Sequence, residues 1–195
     1  MFSFWGGSAS RGNSCRLHYF FTKATAIIEE HGGRVQEFKG DSFLAMWNGG
    51  TLGNEAKHAL EAAKELQRSL NDKLLPEKAL EGLEPLALGI GIEQGPVLIG
   101  SIGPAHRRSP TILGDTLSIT LRIQEMTADL AQPILLGECV ARELSSEEIE
   151  SQGSYLLAGL CIPHTLFSPV ADRVERAGVA VNNQPELIVV GGTKR

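Results

Sequence analysis

Asp41 is the carboxylate whose neighbours best expose it to a ligand. It follows Gly40 between two short apolar runs, Val35 to Phe38 and Phe43 to Trp47. Glycine beside an acidic residue between β-prone runs predicts a hairpin turn. That would set one carboxylate at the tip of a two-stranded ribbon. Such a group suits Mg²⁺, which takes one or two protein oxygens and keeps water and phosphate in its other positions. Taken alone, the stretch reads first as a turn that contains an aspartate.

Other chemistry-bearing patterns fall away on spacing. Gly89-Ile90-Gly91-Ile92-Glu93-Gln94-Gly95 is too long for a dinucleotide fingerprint, and a strand follows where that motif needs a helix. No Walker lysine pattern and no G-x-S-x-G elbow occurs. The histidines at 18, 31, 58, 106 and 164 lack ligand spacing. Cys15, Cys139 and Cys161 are an odd set without metal spacing and read as reduced thiols.

The chain has 195 residues, enough for one domain with a sizeable core. A net charge of −5 provides no basic stripe and argues against a nucleic-acid partner. No apolar run approaches the roughly 20 residues needed to span a bilayer. The start, Met1 to Gly7, lacks the basic region and apolar core of a signal peptide. A soluble, cytoplasmic chain is expected.

The elements that must position Asp41 follow from hydrophobic period. Residues 1–14 have linker composition. From Leu17, the residues Phe20, Phe21, Ala24, Ile27 and Ile28 share a helical face, and Gly32-Gly33 stops the helix. After the hairpin a helix runs from about Asn54 to Leu74, and Pro76 to Pro85 is a connection. Leu86 to Ile92 and Val97 to Gly100 are strands joined by the turn Glu93 to Pro96. Gly103 to Pro110 is a basic loop carrying Arg107 and Arg108. Gly114-Asp115 opens a helix through Met126, since aspartate caps well and complements the dipole. Pro133 to Leu136 is a strand and Glu138 to Leu144 a short helix. Tyr155 to Leu157 and Thr165 to Phe167 are edge strands. Beyond Val170 a loose tail is expected. The order argues for an α+β sandwich, helices packed on a mainly antiparallel sheet.

Two blocks then resemble the class III nucleotidyl cyclase catalytic domain of bacterial type. One runs from Leu17-His18-Tyr19-Phe20-Phe21 through His31-Gly32-Gly33 to Gly40-Asp41. The other runs from Leu88 through Gly95-Pro96-Val97 to Gly103, then Arg107-Arg108 and Thr111-Ile112-Leu113-Gly114-Asp115-Thr116-Leu117. The resemblance covers about residues 15–168, so domain boundaries of 15–169 are expected, with a segment 1–14 before and a tail 170–195 after. It implies a ferredoxin-like βαββαβ palm.

It also implies a reaction: ATP, less readily GTP, becomes the 3′,5′-cyclic nucleotide and pyrophosphate in signal transduction. In the family two Mg²⁺ or Mn²⁺ ions, held by two aspartates on neighbouring strands, serve that displacement. The site forms between two subunits, so a homodimer is implied, and members are often fused to sensor or membrane modules. Carried over by position, Asp41 matches the second metal-binding aspartate. Arg122 matches the arginine that stabilises the phosphate, a role suited to its permanent charge and planar fork. Thr111 matches a purine-reading position, and Glu37 occupies the other, where adenylyl cyclases carry lysine and guanylyl cyclases a carboxylate. Ser118 stands where the family has the asparagine that orients the ribose, and Ala158 where a lysine would hold the terminal phosphates. The motif of the first metal aspartate falls before Met1, so the first metal-bearing strand is expected to be missing, leaving at most one carboxylate ligand. A catalytically inactive dimerisation or regulatory domain is the alternative.

Overall fold

The computed structural model describes residues 2–5, 11–48, 54–70, 87–104, 106 and 109–170. The expected connection at 76–85, the basic pair at 107–108 and the tail after Val170 lie outside the described residues.

Helix α1, Arg11–Glu30, begins earlier than its apolar period, which only sets in at Leu17. Phe20, Ala24, Ile27 and Ile28 are its buried stripe. The helix ends in a Schellman motif: Gly33 N–H donates to Ile28 O at 2.8 Å and Gly32 N–H to Glu29 O at 3.0 Å. Gly32 takes the required left-handed turn at φ 76°. Trp47 Nε1 donates to the His31 carbonyl at 2.9 Å, satisfying another helix-end acceptor. A Cβ at Gly33 would strike the Trp47 ring, so that glycine makes room for the indole.

Strands β2, Arg34–Lys39, and β3, Ser42–Met46, form the expected hairpin around Gly40-Asp41. Lys39 pairs with Ser42, leaving a two-residue turn. Gly40 has φ 63° and Asp41 is not among the positive-φ residues, the pattern of a type II′ turn. On the hairpin Phe38 and Phe43 meet Phe21 of α1, with ring centroids 5.1 and 5.8 Å from the Phe21 ring. Helix α2, Glu55–Leu70, buries Ala56, Ala59, Leu60, Ala63 and Leu66. His31 and Glu65 link α1 to α2 at 2.8 Å.

Phe2–Trp5 forms a strand, β1, where linker composition was expected. It pairs antiparallel with β3 on one side and with β4, Ala87–Ile92, on the other. The slot of the strand expected to be missing is therefore filled by a strand of only 4 residues. Its length explains why period analysis passed over it. Among the described residues, seven strands make one sheet in the order β2-β3-β1-β4-β7-β9-β8. Here β7 is Ile134–Leu136, β8 Ile149–Tyr155 and β9 His164–Pro169. The β4–β7 pair is parallel and every other pair antiparallel. This is the expected α+β palm. Strand β8 ends at Tyr155, so Leu156 and Leu157 belong to the loop that follows. Strands β5, Leu98–Ile102, and β6, Ser109–Leu113, form a separate two-stranded ribbon. The expected loop therefore gives way to strand at Ser109.

Alternation across β4 and β7 builds two cores. Leu88, Ile90, Ile134 and Leu136 join α1 and α2 on one face. Leu135 joins Ile123 of helix α3, Asp115–Asp129, on the other. On that second face β4 presents Gly89 and Gly91. A Cβ on Gly91 would lie 2.5 Å from Gln124 N and 2.8 Å from Thr120 O, so α3 rests its backbone on the strand.

Glu93 leaves β4 beneath the short helix α4, Glu138–Ala141. Its carboxylate accepts the Gln94 N–H at 2.8 Å and the N–H groups of Cys139 and Val140. Burial nevertheless pushes its carboxyl above the ordinary glutamate value, the donated hydrogen bonds and the nearby His164 opposing this incompletely.

Two outcomes follow. Gly91→Ala forces α3 off β4 and should lower the urea-unfolding free energy by about 1–3 kcal/mol. Gly100→Ala, where nothing lies within 4 Å, should change it by less than about 0.5 kcal/mol. Equal effects would remove the close-approach explanation. For Glu93 the folded carboxyl is raised, so its ionised form costs stability and the cost grows as pH climbs from the unfolded through the folded value. The Tm of Glu93→Gln minus that of the native chain should therefore be more positive at about pH 8 than at about pH 4. A difference flat with pH would refute the burial effect.

Candidate active site

The residues singled out for chemistry divide between two places. Glu37 and Asp41 ride on the edge hairpin, both exposed. Glu37 faces Leu44 across the hairpin, just past a register shift between Val35 and Glu37. Asp41 sits in the turn, with Ser42 Oγ beside it donating to the Lys39 carbonyl at 2.8 Å.

Thr111, Ser118 and Arg122 belong to the continuous segment β6–α3. Thr111 pairs with Gly100 in the ribbon and is half-buried. Gly114, at φ 143°, turns the chain from β6 into α3. A Cβ there would stand 3.0 Å from the Pro96 carbonyl, so this corner is tightly set. Thr116 Oγ1 donates to the same carbonyl at 2.9 Å and fixes the first turn of α3. Ser118 and Arg122 then fall one turn apart on a single helix face. Ser118 is exposed, and the Arg122 side chain is 42% exposed.

Arg122 Nη1 donates to both carboxylate oxygens of Glu125, at 2.9 and 2.7 Å. A surface ion pair of this kind contributes at most about 1 kcal/mol. Its guanidinium can therefore be exchanged onto a polyanionic ligand at small cost, the fork geometry being suited to phosphate oxygens. Strands β1 and β4 stand between β3 and the strand, β7, that α3 also covers. Within one copy the expected site residues thus stand in two groups on different elements.

Between these places lies a cleft of about 400 Å³, lined by Leu44, Trp47, Glu93, Ile112, Thr116 and Thr120 among others. Glu93 is the carboxylate that sequence reasoning passed over. Gly137 opposite it was the available signal, because any Cβ there would collide with the Glu93 carboxylate. Ala158 lies exposed in the loop between β8 and β9, ahead of Gly159 at φ 80°.

Among the described residues no group of three or more His, Cys, Asp or Glu is placed to hold a metal ion. Asp41 is the single carboxylate at the hairpin turn. Among the described residues, those at the hairpin therefore do not fit a centre in which two carboxylates share two ions. No helix of the described residues is long and apolar enough to cross a membrane.

Comparison with known proteins gives these observations a family. Residues 14–165 match the adenylate and guanylate cyclase catalytic domain. An adenylate cyclase of Anabaena cylindrica is 34% identical over 125 residues, covering 62% of this chain and 24% of that protein. Adenylate cyclase 1 of Rhizobium meliloti is 28% identical over 128 residues, covering 65% of this chain and 19% of that protein. The chain thus spans about a quarter or less of the length of these relatives. Among solved structures, the adenylyl cyclase CyaB from P. aeruginosa superposes with a TM-score of 0.74 at 18% identity, covering 88% of this chain and 92% of that one. The guanylyl cyclase Cya2 gives 0.68 at 24% identity, covering 84% and 82%. At such identities these structures speak to the fold alone. Family match, relatives and fold agree, and the chain belongs to the adenylate and guanylate cyclase catalytic domain family.

Proposed function

We propose that this domain binds a purine nucleoside triphosphate, ATP ahead of GTP, at a site shared between two copies of the chain, and serves cyclic-nucleotide signalling in the cytoplasm. The observation that carries the reading is the β6–α3 segment, which carries Thr111, Ser118 and Arg122 in one continuous run. In the reaction, the ribose 3′ hydroxyl gives up its proton to solvent and its oxygen bonds to the α-phosphorus while the bond from that phosphorus to the bridging oxygen breaks. Pyrophosphate leaves and a 3′,5′-cyclic nucleotide remains. Arg122 places permanent positive charge where negative charge gathers on the phosphoryl oxygens. The Ser118 hydroxyl, one turn earlier, orients the ribose. Thr111 and Glu37 read the purine edge. Mg²⁺ or Mn²⁺ would supply triphosphate charge neutralisation, and Asp41 is the residue of the hairpin that would hold it, as a single carboxylate.

The homodimer finds support in the ribbon β5–β6. Leu98, Ile99, Ile102 and Leu113 there are 67, 54, 53 and 44% exposed. Leu98, Ile102 and Leu113 share one face of the ribbon by strand alternation, and an exposed apolar face of that kind marks an interaction surface. A second copy would bring its hairpin half-set toward this copy's β6–α3 half-set. A fused sensor or membrane module belongs to the same reading, since the relatives are several times longer than this chain.

A second reading, a non-catalytic regulatory domain, is favoured by the lone carboxylate at the hairpin. The test is Mn²⁺-supported conversion of ATP and GTP, measured beside binding of a fluorescent ATP analogue. Cyclic product supports the enzyme, with Arg122→Ala expected to lower turnover about a hundredfold. Binding without product supports the regulatory domain, and neither sinks both. Glu37→Lys should shift nucleotide preference toward ATP; an unchanged ratio removes Glu37 from purine reading. Leu98→Glu should shift sedimentation toward monomer, whereas an unaltered dimer would clear the ribbon of that role.

A further inference from the structure

The cleft continues the line of strand β1. Among the described residues, the pairing of β1 ends at Phe2, which stands opposite Phe43 of β3 and Ile90 of β4. Both neighbours run on past it. Among the described residues, Leu44, Ala45 and Met46 pair only with β2, and Ile92 pairs only with β7. These same four residues wall the cleft of about 400 Å³. Ala56 and Ala59 of α2 line it from one face of the sheet, and Thr116 and Thr120 of α3 line it from the other. A space between two strand edges, closed by helices on both faces, suits an extended chain with apolar side chains on both sides.

We propose that residues 187–190 of this chain's own C-terminal segment dock in the cleft as a strand between β3 and β4. The run is Leu187-Ile188-Val189-Val190, aliphatic throughout and uncharged, the pattern of a strand buried on both faces. The last described residue stands beside the cleft. Val170 N–H donates to the Glu148 carbonyl at 2.9 Å, and the Glu148 carboxylate lies 3.9 Å from Lys57 Nζ. Lys57 follows Ala56 in α2, in the turn that lines the cleft. The 16 residues 171–186 then reach roughly 50 Å when extended, about twice the ~24 Å length of α2. Lys194 and Arg195 come after the run, and the cleft is lined by the carboxylates of Glu55 and Glu93, so the charges are complementary. The chain's own run outcompetes that of a second copy because its tether raises its effective concentration at the cleft. None of this depends on nucleotide chemistry.

The experiment is amide hydrogen exchange on the full chain, read by mass spectrometry. Residues 187–190 should exchange at least about tenfold more slowly than an unstructured peptide of the same sequence. Val189→Asp places a charge inside the strand, and should release that protection while speeding exchange at residues 44–46 at least about tenfold. Exchange of 187–190 at the free-peptide rate in the native chain would overturn the proposal. So would a Val189→Asp chain that loses protection at 187–190 with residues 44–46 unchanged, since the run would then dock elsewhere. Protection that falls on about a hundredfold dilution would assign the cleft to the run of a second copy, and overturns it equally. Should Val189→Asp fail to fold by circular dichroism, Val189→Thr decides: joint loosening of 187–190 and 44–46 upholds the proposal, and loosening of 187–190 alone overturns it.

Discussion

The backbone ladder of β1 is the constraint on which the arrangement depends. The strand has 4 residues, yet it is the only described element joining the hairpin β2–β3 to β4 within the sheet. Remove it and the main-chain groups of β3 and β4 that face each other lose their partners, a costly state for a central position in a sheet. The phenylalanine rings of the hairpin and α1 bind the same corner through side chains. Ladder and ring cluster together hold Asp41 at a defined place relative to the core.

From β4 onward the controlling feature is alternation. Leu88 and Ile90 enter the large core, whereas Gly89 and Gly91 turn toward α3 and let a helix backbone approach. Since α3 carries Ser118 and Arg122, the absence of side chains on one face of β4 sets where those groups stand. The tight corner at Gly114 and the Thr116 bond to the Pro96 carbonyl fix the first turn of the same helix. Positioning of the candidate phosphate-binding group thus comes in part from glycine packing on β4.

Electrostatically the domain divides in two. The Arg122–Glu125 pair is exposed and weakly held. Glu93, by contrast, is half-buried against Gly137 and spends its oxygens on backbone N–H groups at the start of α4. Its raised carboxyl is the cost of closing the bottom of the cleft with a polar residue, and its role is architectural.

Local pattern was enough to reveal the hairpin, the Schellman end of α1, the start of α3 and the family motifs. Each rests on local features: glycines where φ is positive and regular apolar spacing; Asp115, expected to cap α3, is instead its first helical residue, with Gly114 at the cap and no side-chain capping bond. Strand β1 was illegible because 4 residues carry no measurable period, and only pairing on both sides makes them a strand. The start of α1 was hidden by polar turns before Leu17. The ribbon strand β6 was masked by Pro110, which an edge of a two-stranded ribbon tolerates. The types Asp41, Thr111, Ser118 and Arg122 were set by the sequence alone, as was the lack of any acidic residue before Glu29. That a strand fills the slot between β3 and β4, and that Glu93 is half-buried beneath α4, were decided only by the tertiary structure, because both depend on register and packing between segments far apart in the chain.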